Sequence, residues 1–151
     1  MRRVSWTALL ALLCLTPSVA HAQNNETRRA NRQIDTVLKE FNEELRGFER
    51  ELKYFEKVHE FKPMLDLRNQ LVNQSNEMLQ LEQSGPGSGP KIRELVRAMD
   101  HEARELSAMS GVLRKRADTI SSTKDQEVAD HLKRHAEEMV KSIDKLASLF
   151  R

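Results

Sequence analysis

The chain of 151 residues has one cysteine, Cys14, and one tryptophan, Trp6, and both lie within its first 22 residues. Those residues resemble a secretory signal, with a basic MRR start, an apolar run and the small-x-small site Ala20-His21-Ala22. We therefore predict cleavage before Gln23 and export to the periplasm or the cell exterior. After cleavage the chain lacks cysteine, which excludes disulfides, a thiolate nucleophile, cysteine zinc sites and c-type haem attachment.

The predicted signal is not expected to remain as an anchor. Its apolar run is short and is broken by Pro17, so it does not predict a membrane-spanning helix in the mature protein. Leu13 precedes Cys14 where a lipidation motif has a small residue, so ordinary cleavage is favoured over lipid attachment.

The mature chain also lacks an excess of charge of either sign. Removing the two arginines of the signal from the 25 basic side chains leaves 23, equal to the 23 acidic ones. A balanced chain gives no reason to expect nucleic acid or an anionic membrane surface as a partner.

Turn-forming residues are few and concentrated in one place. Residues 84–90, SGPGSGP, hold three of the five glycines and two of the four prolines, so we predict a loop there. No segment alternates with the period of two that marks a strand. Residues 23–33 have almost no apolar side chains and are predicted to be frayed or disordered, and residues 34–151 to form a single helical domain.

From residue 34 onward apolar side chains recur at steps of four and three residues, with a phenylalanine at every seventh position. This stripe consists of Ile34, Leu38, Phe41, Leu45, Phe48, Leu52 and Phe55. The spacing predicts a first helix with one coiled-coil-like buried face. Pro63 interrupts the pattern and predicts either a turn near residues 61–62 or a sharp kink, because proline removes a backbone hydrogen bond and clashes with the preceding turn.

Three further helices are predicted, at about 64–83, about 91–120 and from about 124 onward. The apolar stripe of the last one does not continue the register of the one before it. Between them lies Thr123-Lys124-Asp125-Gln126, which matches a capping box and predicts a new helix start.

Four amphipathic helices with short connections predict an all-α, antiparallel up-down-up-down four-helix bundle. The alternative is a long, bent two-helix coiled-coil hairpin that dimerises to complete its core. The break in register near residue 122 favours the bundle, and Pro63, if it only kinks a helix, is compatible with the hairpin.

Two histidines, His131 and His135, lie four residues apart in the stretch HLKRHAEE. With about 100° per residue, His135 falls at the edge of the stripe around Leu132 and His131 lies further out. An i, i+4 histidine pair binds zinc or copper only weakly, because two ligands do not make a specific site. We therefore predict two solvated side chains beside a buried stripe.

A less favoured metal site centres on His59, which takes the next stripe position after Phe55, with Glu56 on the same face. In an antiparallel bundle the end of the first helix lies beside the start of the fourth, which brings Asp125 and His131 near. These four residues are the candidate ligands for a divalent transition metal. The favoured interpretation is that His59 closes the core near a helix end and that no cofactor is bound. No second Glu-x-x-His motif occurs, so a di-iron centre is not expected.

The second helix has an additional apolar row, Leu65, Val72 and Leu79, spaced by seven residues. An apolar surface this wide covers either two neighbouring helices or one neighbour and a partner molecule, and the sequence leaves both open.

The sequence shows no nucleophile with a base, no phosphate-binding loop and no paired acids in separate environments, so no enzyme is predicted. We expect an exported helical-bundle binding protein, an adaptor or chaperone-like module whose partner is a protein, possibly a second copy of itself. The alternative is a metal- or haem-binding periplasmic four-helix bundle.

Overall fold

The computed structural model describes the backbone of residues 17–55, 61–83, 88–120 and 122–150, and the side chains in these ranges except 17–28 and 120. The backbone forms four helices: α1 (Pro17–Leu52), α2 (Lys62–Gln83), α3 (Gly89–Ile120) and α4 (Thr123–Ser148). One 3-10 turn, Lys53–Phe55, follows α1, and these four ranges contain no strand. The prediction of an all-α fold is confirmed.

The direction of each helix follows from the side-chain pairs that connect it to its neighbours. Glu40 of α1 contacts Lys145 of α4 and Glu51 contacts His131, so residue numbers rise along α1 as they fall along α4. The other interfaces show the same reversal. The pairs are Asn42–Ser75 and Glu49–Arg68 between α1 and α2, Gln74–Glu102 and Glu77–Lys91 between α2 and α3, and Arg104–Asp144 and Arg114–Asp130 between α3 and α4. Each helix is therefore antiparallel to the next, and α4 returns to α1, which is the predicted four-helix bundle.

Pro63 marks a turn and not a kink, because α1 ends at Leu52 and α2 begins beside it at Lys62. Proline suits the first turn of a helix, where its missing N–H would have no partner in any case. The bent-hairpin alternative is therefore wrong. Pro90 takes the same position in α3, so Gly89 and Pro90, predicted to be loop, are helical; residues 84–87 of that segment lie outside the described ranges.

The start of α4 is a capping box, one residue earlier than predicted. Ser122 has an extended backbone (φ −65°, ψ 162°), and its hydroxyl accepts a hydrogen bond from Asp125 N at 3.3 Å. The Asp125 carboxylate in turn accepts from Ser122 N at 3.2 Å. The predicted box used Thr123 and Gln126. The observed one places a carboxylate in the first turn, where the positive end of the helix dipole favours it.

The predicted stripes form one continuous core from all four helices. The α1 stripe is buried from Ile34 to Leu52, and Phe48 has no exposed surface. Four of the methionines that fall on stripes are also buried: Met64, Met78, Met99 and Met139. The small residues Ser75, Ala103, Ser110 and Ala136 are fully buried as well.

The chain divides into two compact units, Met1–Gln33 and Ile34–Arg151. In the first unit residues 23–33 are helical, in contrast to the predicted frayed segment, and the described side chains 29–33 are exposed. A helix extends readily beyond its buried part, because each added residue gains a hydrogen bond once the helix has started. Within the described residues, none of the helices combines the length and apolar character needed to cross a membrane.

Candidate functional site

The two histidines of HLKRHAEE lie at the interface between α4 and α1, and each faces a glutamate. His135 Nδ1 is 2.6 Å from Glu44 Oε2, and 14% of the His135 side chain is exposed. His131 Nδ1 is 3.4 Å from Glu51 Oε1, and 47% of the His131 side chain is exposed. The order matches the helical wheel, which placed His135 at the edge of the buried stripe and His131 outside it. The prediction of two solvated side chains is wrong for His135, because most of its side chain is buried where α4 meets α1.

The His135 ring lies against the backbone of α1 at Gly47. A Cβ atom built at Gly47 would be 2.4 Å from His135 Cε1 and 2.8 Å from each ring nitrogen. Only glycine leaves room for the ring at this point. Because Glu44 holds Nδ1 and the ring edge is pressed onto α1, His135 and His131 are not arranged as a two-histidine chelate.

The structure places only two of the four candidate metal ligands, since His59 and Glu56 lie outside the described residues. Asp125 accepts a 2.8 Å hydrogen bond from the Tyr54 hydroxyl, so the end of α1 does lie beside the start of α4, as predicted. That hydrogen bond is the main reason why the pKa of Asp125 lies below its usual value. In the part of the chain that the structure describes, no three His, Cys, Asp or Glu side chains come together to hold a metal ion.

The second apolar row of α2 lies on the side of that helix that faces α1. Leu65, Val72 and Leu79 are half-buried and pack against the core. Arg68 and Ser75 alternate with them at steps of three and four residues, and these two side chains contact α1. The row therefore lies along the edge of the α1–α2 interface and remains partly exposed.

A more open apolar surface lies between α3 and α4. A groove of about 470 Å³ runs there, and it is lined by Ala108, Gly111, Val112, Arg114, Lys115, Asp118, Asp130 and Lys133. Apart from the neighbouring backbone of α3, no atom lies within 4 Å of the place a Cβ would take at Gly111, and Val112 is 53% exposed. A second hollow of about 410 Å³, lined by Arg104, Ser107, Glu137, Val140 and Lys141, adjoins the first along α3. We call these two hollows together the α3–α4 groove.

Ion pairs hold the rim of the α3–α4 groove. Arg114 bridges Asp118 of its own helix and Asp130 of α4. Arg104 lies 2.7 Å from Asp144 of α4 and 2.8 Å from Asp100. We call the short or apolar lining residues, Ala108, Gly111 and Val112, the floor of the groove. An apolar floor with a polar rim is the general anatomy of a protein-binding surface.

The sequence interpretation missed the partners of the histidines, although a signal for them was present. Glu44 and Glu51 are seven residues apart, and each directly precedes a buried leucine of the α1 stripe. In coiled-coil-like packing, residues that flank the stripe in this way contact the neighbouring helix. Gly47 also carried a signal, because a glycine inside a helical pattern usually has a packing reason.

Comparison of the chain with protein-family models, with curated proteins and with solved structures found no match. The function proposed below therefore rests on the sequence pattern and on the geometry of the described residues.

Proposed function

We propose that this chain is an exported, non-catalytic helical-bundle protein that binds a protein partner through the α3–α4 groove. The observation that carries the proposal is the contrast between two glycines inside helices. The surface at Gly47 is filled by the ring of His135, whereas Gly111 faces open space. A glycine inside a helix costs about 1 kcal/mol relative to alanine. For Gly47 the ring packing offsets this cost, and for Gly111 a partner that approaches the backbone would do the same.

The chemistry of the groove defines the kind of partner. A floor made of Ala108, Gly111 and the exposed Val112 lets another helix come close to α3. Apolar side chains on that helix gain roughly 25 cal/mol for each Å² that they bury. Arg114 on the rim is engaged with Asp118 and Asp130, so the best fit is an amphipathic helix with a narrow apolar face. A second copy of this chain is one such partner, since its own helices have this character.

Export is supported by the signal-like start of the chain. We expect the mature protein to begin at Gln23 and to have no lipid at Cys14. Intact-mass spectrometry of the exported protein measures both, and a diacylated N-terminus at Cys14 would contradict the prediction.

The binding proposal is tested with variants of Gly111 and Val112. Gly111→Gln fills the groove floor while it raises helix propensity, so a loss of binding cannot be caused by unfolding. Val112→Glu places a charge on the floor. The matched control is Leu149→Glu, because Leu149 is also an exposed apolar residue, at 37% exposure, and does not line the groove.

Sedimentation at increasing concentration measures self-association, and cross-linking in the exporting cell measures association with another protein. We expect a complex for the wild type and for Leu149→Glu, and its loss for both groove variants while their helical circular dichroism is unchanged. A complex that survives the groove variants but is lost in a folded Leu65→Gln/Val72→Gln/Leu79→Gln variant would move the binding surface to the second row of α2. A wild type that stays monomeric and cross-links to nothing would refute the proposal.

A further inference from the structure

The exposed face of α3 carries opposite charges at equal distances on the two sides of Gly111. Arg104 lies seven residues before this glycine and Asp118 seven residues after it. Seven residues are close to two helical turns, so on a helical wheel both positions fall within about 20° of Gly111. The three residues therefore form one line along α3, with a cation at one end, a glycine in the middle and an anion at the other end.

Both charged side chains are accessible from outside the bundle, since each is 53% exposed. Arg104 donates to Asp100 through Nε and to Asp144 through Nη2. A guanidinium group has five N–H donors, so Nη1 can donate to a further carboxylate. Asp118 accepts from Arg114 at Oδ1, and the second oxygen of its carboxylate can accept from a further cation. Contacts with another molecule can therefore add to the contacts that each residue already makes.

The middle of the line is the part of this surface where another backbone can come closest. Small side chains flank Gly111 at Ser107 and Ala108, and Val112 beside it is more than half exposed. A glycine at the point of contact permits a close approach of two backbones. The floor of the α3–α4 groove thus combines room for a second helix with apolar surface to bury.

We propose that the occupant of the α3–α4 groove is α3 of a second copy of this chain, packed antiparallel across a two-fold axis at Gly111. The inference rests on the binding role proposed above for the groove, and it adds the partner, the helix and the register. In this arrangement Arg104 of each copy lies opposite Asp118 of the other, so the ion pair forms twice.

The charges along α3 decide the direction of the second helix. An antiparallel pair centred on the glycine brings together residues that lie equally far before and after it. Lys115 then falls opposite Ser107. Arg114 falls opposite Ala108, so no two like charges directly face each other between residues 104 and 118. A parallel pair would place each charged residue against its own copy, and like charges in contact disfavour a complex.

A self-complementary pattern of this kind favours a second copy over a different protein. In a two-fold interface one patch serves both sides, so a cation on one half of the patch needs an anion on the other half. A different partner imposes no such symmetry on α3. Exposed ion pairs contribute little affinity, so Arg104 and Asp118 set the direction and register while burial of Val112 and Ala108 supplies the driving force.

Charge reversal at the two ends of the line tests the register. In Arg104→Glu the introduced glutamate faces Asp118 at both contacts, and in Asp118→Lys the introduced lysine faces Arg104 at both. We expect each variant to raise the Kd of self-association by roughly tenfold or more in sedimentation equilibrium, because attraction becomes repulsion at two places. The loss should become smaller at high salt, which screens exposed charges.

Mixing the two variants is the decisive measurement. A complex of one Arg104→Glu chain with one Asp118→Lys chain has an attractive pair at both contacts, so it should form although neither variant associates with itself. The double variant Arg104→Glu/Asp118→Lys should self-associate again for the same reason. The control is Glu94→Lys, a charge reversal at an exposed position of α3 outside the groove, which should self-associate like the wild type. Helical circular dichroism checks that each variant is folded.

The outcomes separate this inference from the wider binding proposal. Single variants that associate like the wild type would overturn the inference, and so would a mixture and a double variant that both stay monomeric. In either case, loss of the complex in Gly111→Gln would still support binding in the groove. A wild type that is monomeric but cross-links through the groove to a different protein would overturn only the second-copy inference. A wild type that forms no complex of either kind would overturn both.

Discussion

Replacing Gly47 with alanine perturbs the contact between α1 and α4 at one atom. The new methyl group would be 2.4 Å from His135 Cε1, a distance at which the ring must move. The ring is not free to move without loss, because His135 Nδ1 is held at 2.6 Å by Glu44. Displacement therefore breaks the hydrogen bond between the two helices and exposes the ring.

Two opposing terms determine the size of the effect. The substitution gains about 1 kcal/mol, because alanine favours a helix more than glycine does. It loses the His135–Glu44 hydrogen bond, and hydrogen bonds that involve a charged group contribute roughly 1.5–3 kcal/mol. The difference predicts a net destabilisation of about 0.5–2 kcal/mol. Helix propensity alone predicts that the substitution stabilises the protein.

Urea unfolding of Gly47→Ala, Gly111→Ala, His135→Ala and the Gly47→Ala/His135→Ala double variant shows whether Gly47→Ala lowers or raises the free energy of unfolding. Gly47→Ala should be less stable than the wild type, and Gly111→Ala, which meets no atom within 4 Å, should be more stable by up to about 1 kcal/mol. In the His135→Ala background, where the ring is absent, Gly47→Ala should become stabilising as well. A Gly47→Ala protein that is as stable as Gly111→Ala, or that stays destabilised without the ring, would refute the packing account.

Three further outcomes are expected. Phe48→Ala should lower the free energy of unfolding by about 3–5 kcal/mol in urea titrations, because it removes a fully buried phenyl ring, and a loss below 1 kcal/mol would show that the core adjusts around it. The Tyr54 hydrogen bond lowers the pKa of Asp125 in the folded state. The stability that ionised Asp125 contributes is therefore present above the pKa of an unfolded aspartate, and it is lost as the pH falls through the lower pKa of the folded state. Asp125→Asn should remove that part of the acid sensitivity. If the difference in urea midpoint between the wild type and Asp125→Asn stays the same as the pH is lowered through the acid range, the prediction is wrong. Zinc titration of untagged protein should show no equimolar binding, whereas tight binding lost in His59→Ala would establish the predicted His59 site, and tight binding lost only in His131→Ala would show that the α4 histidine is a ligand.

The amino-acid sequence by itself determined that the chain is helical and which face each helical segment buries. Hydrophobic periodicity is a local property, so the stripe from Ile34 to Leu52 could be read without knowledge of its neighbours. The same holds for the distance of His131 and His135 from the core, which the helical wheel predicts and the structure shows. The Pro63 turn was left open, because proline suits both a kinked helix and the first turn of a new one.

Tertiary structure alone decided which side chains meet across the interfaces. A helical wheel gives the angle of a residue from the core. It does not say which helix lies on that side, or how far two antiparallel helices are shifted along their axes relative to each other. That alignment brings His135 to Gly47 and Glu44, and it leaves Gly111 facing open space. It also places Gln74 beside Glu102, more than twenty residues away in the chain. Such contacts depend on the relative shift and rotation of whole helices, which the packing of the complete core determines and no short stretch of sequence encodes.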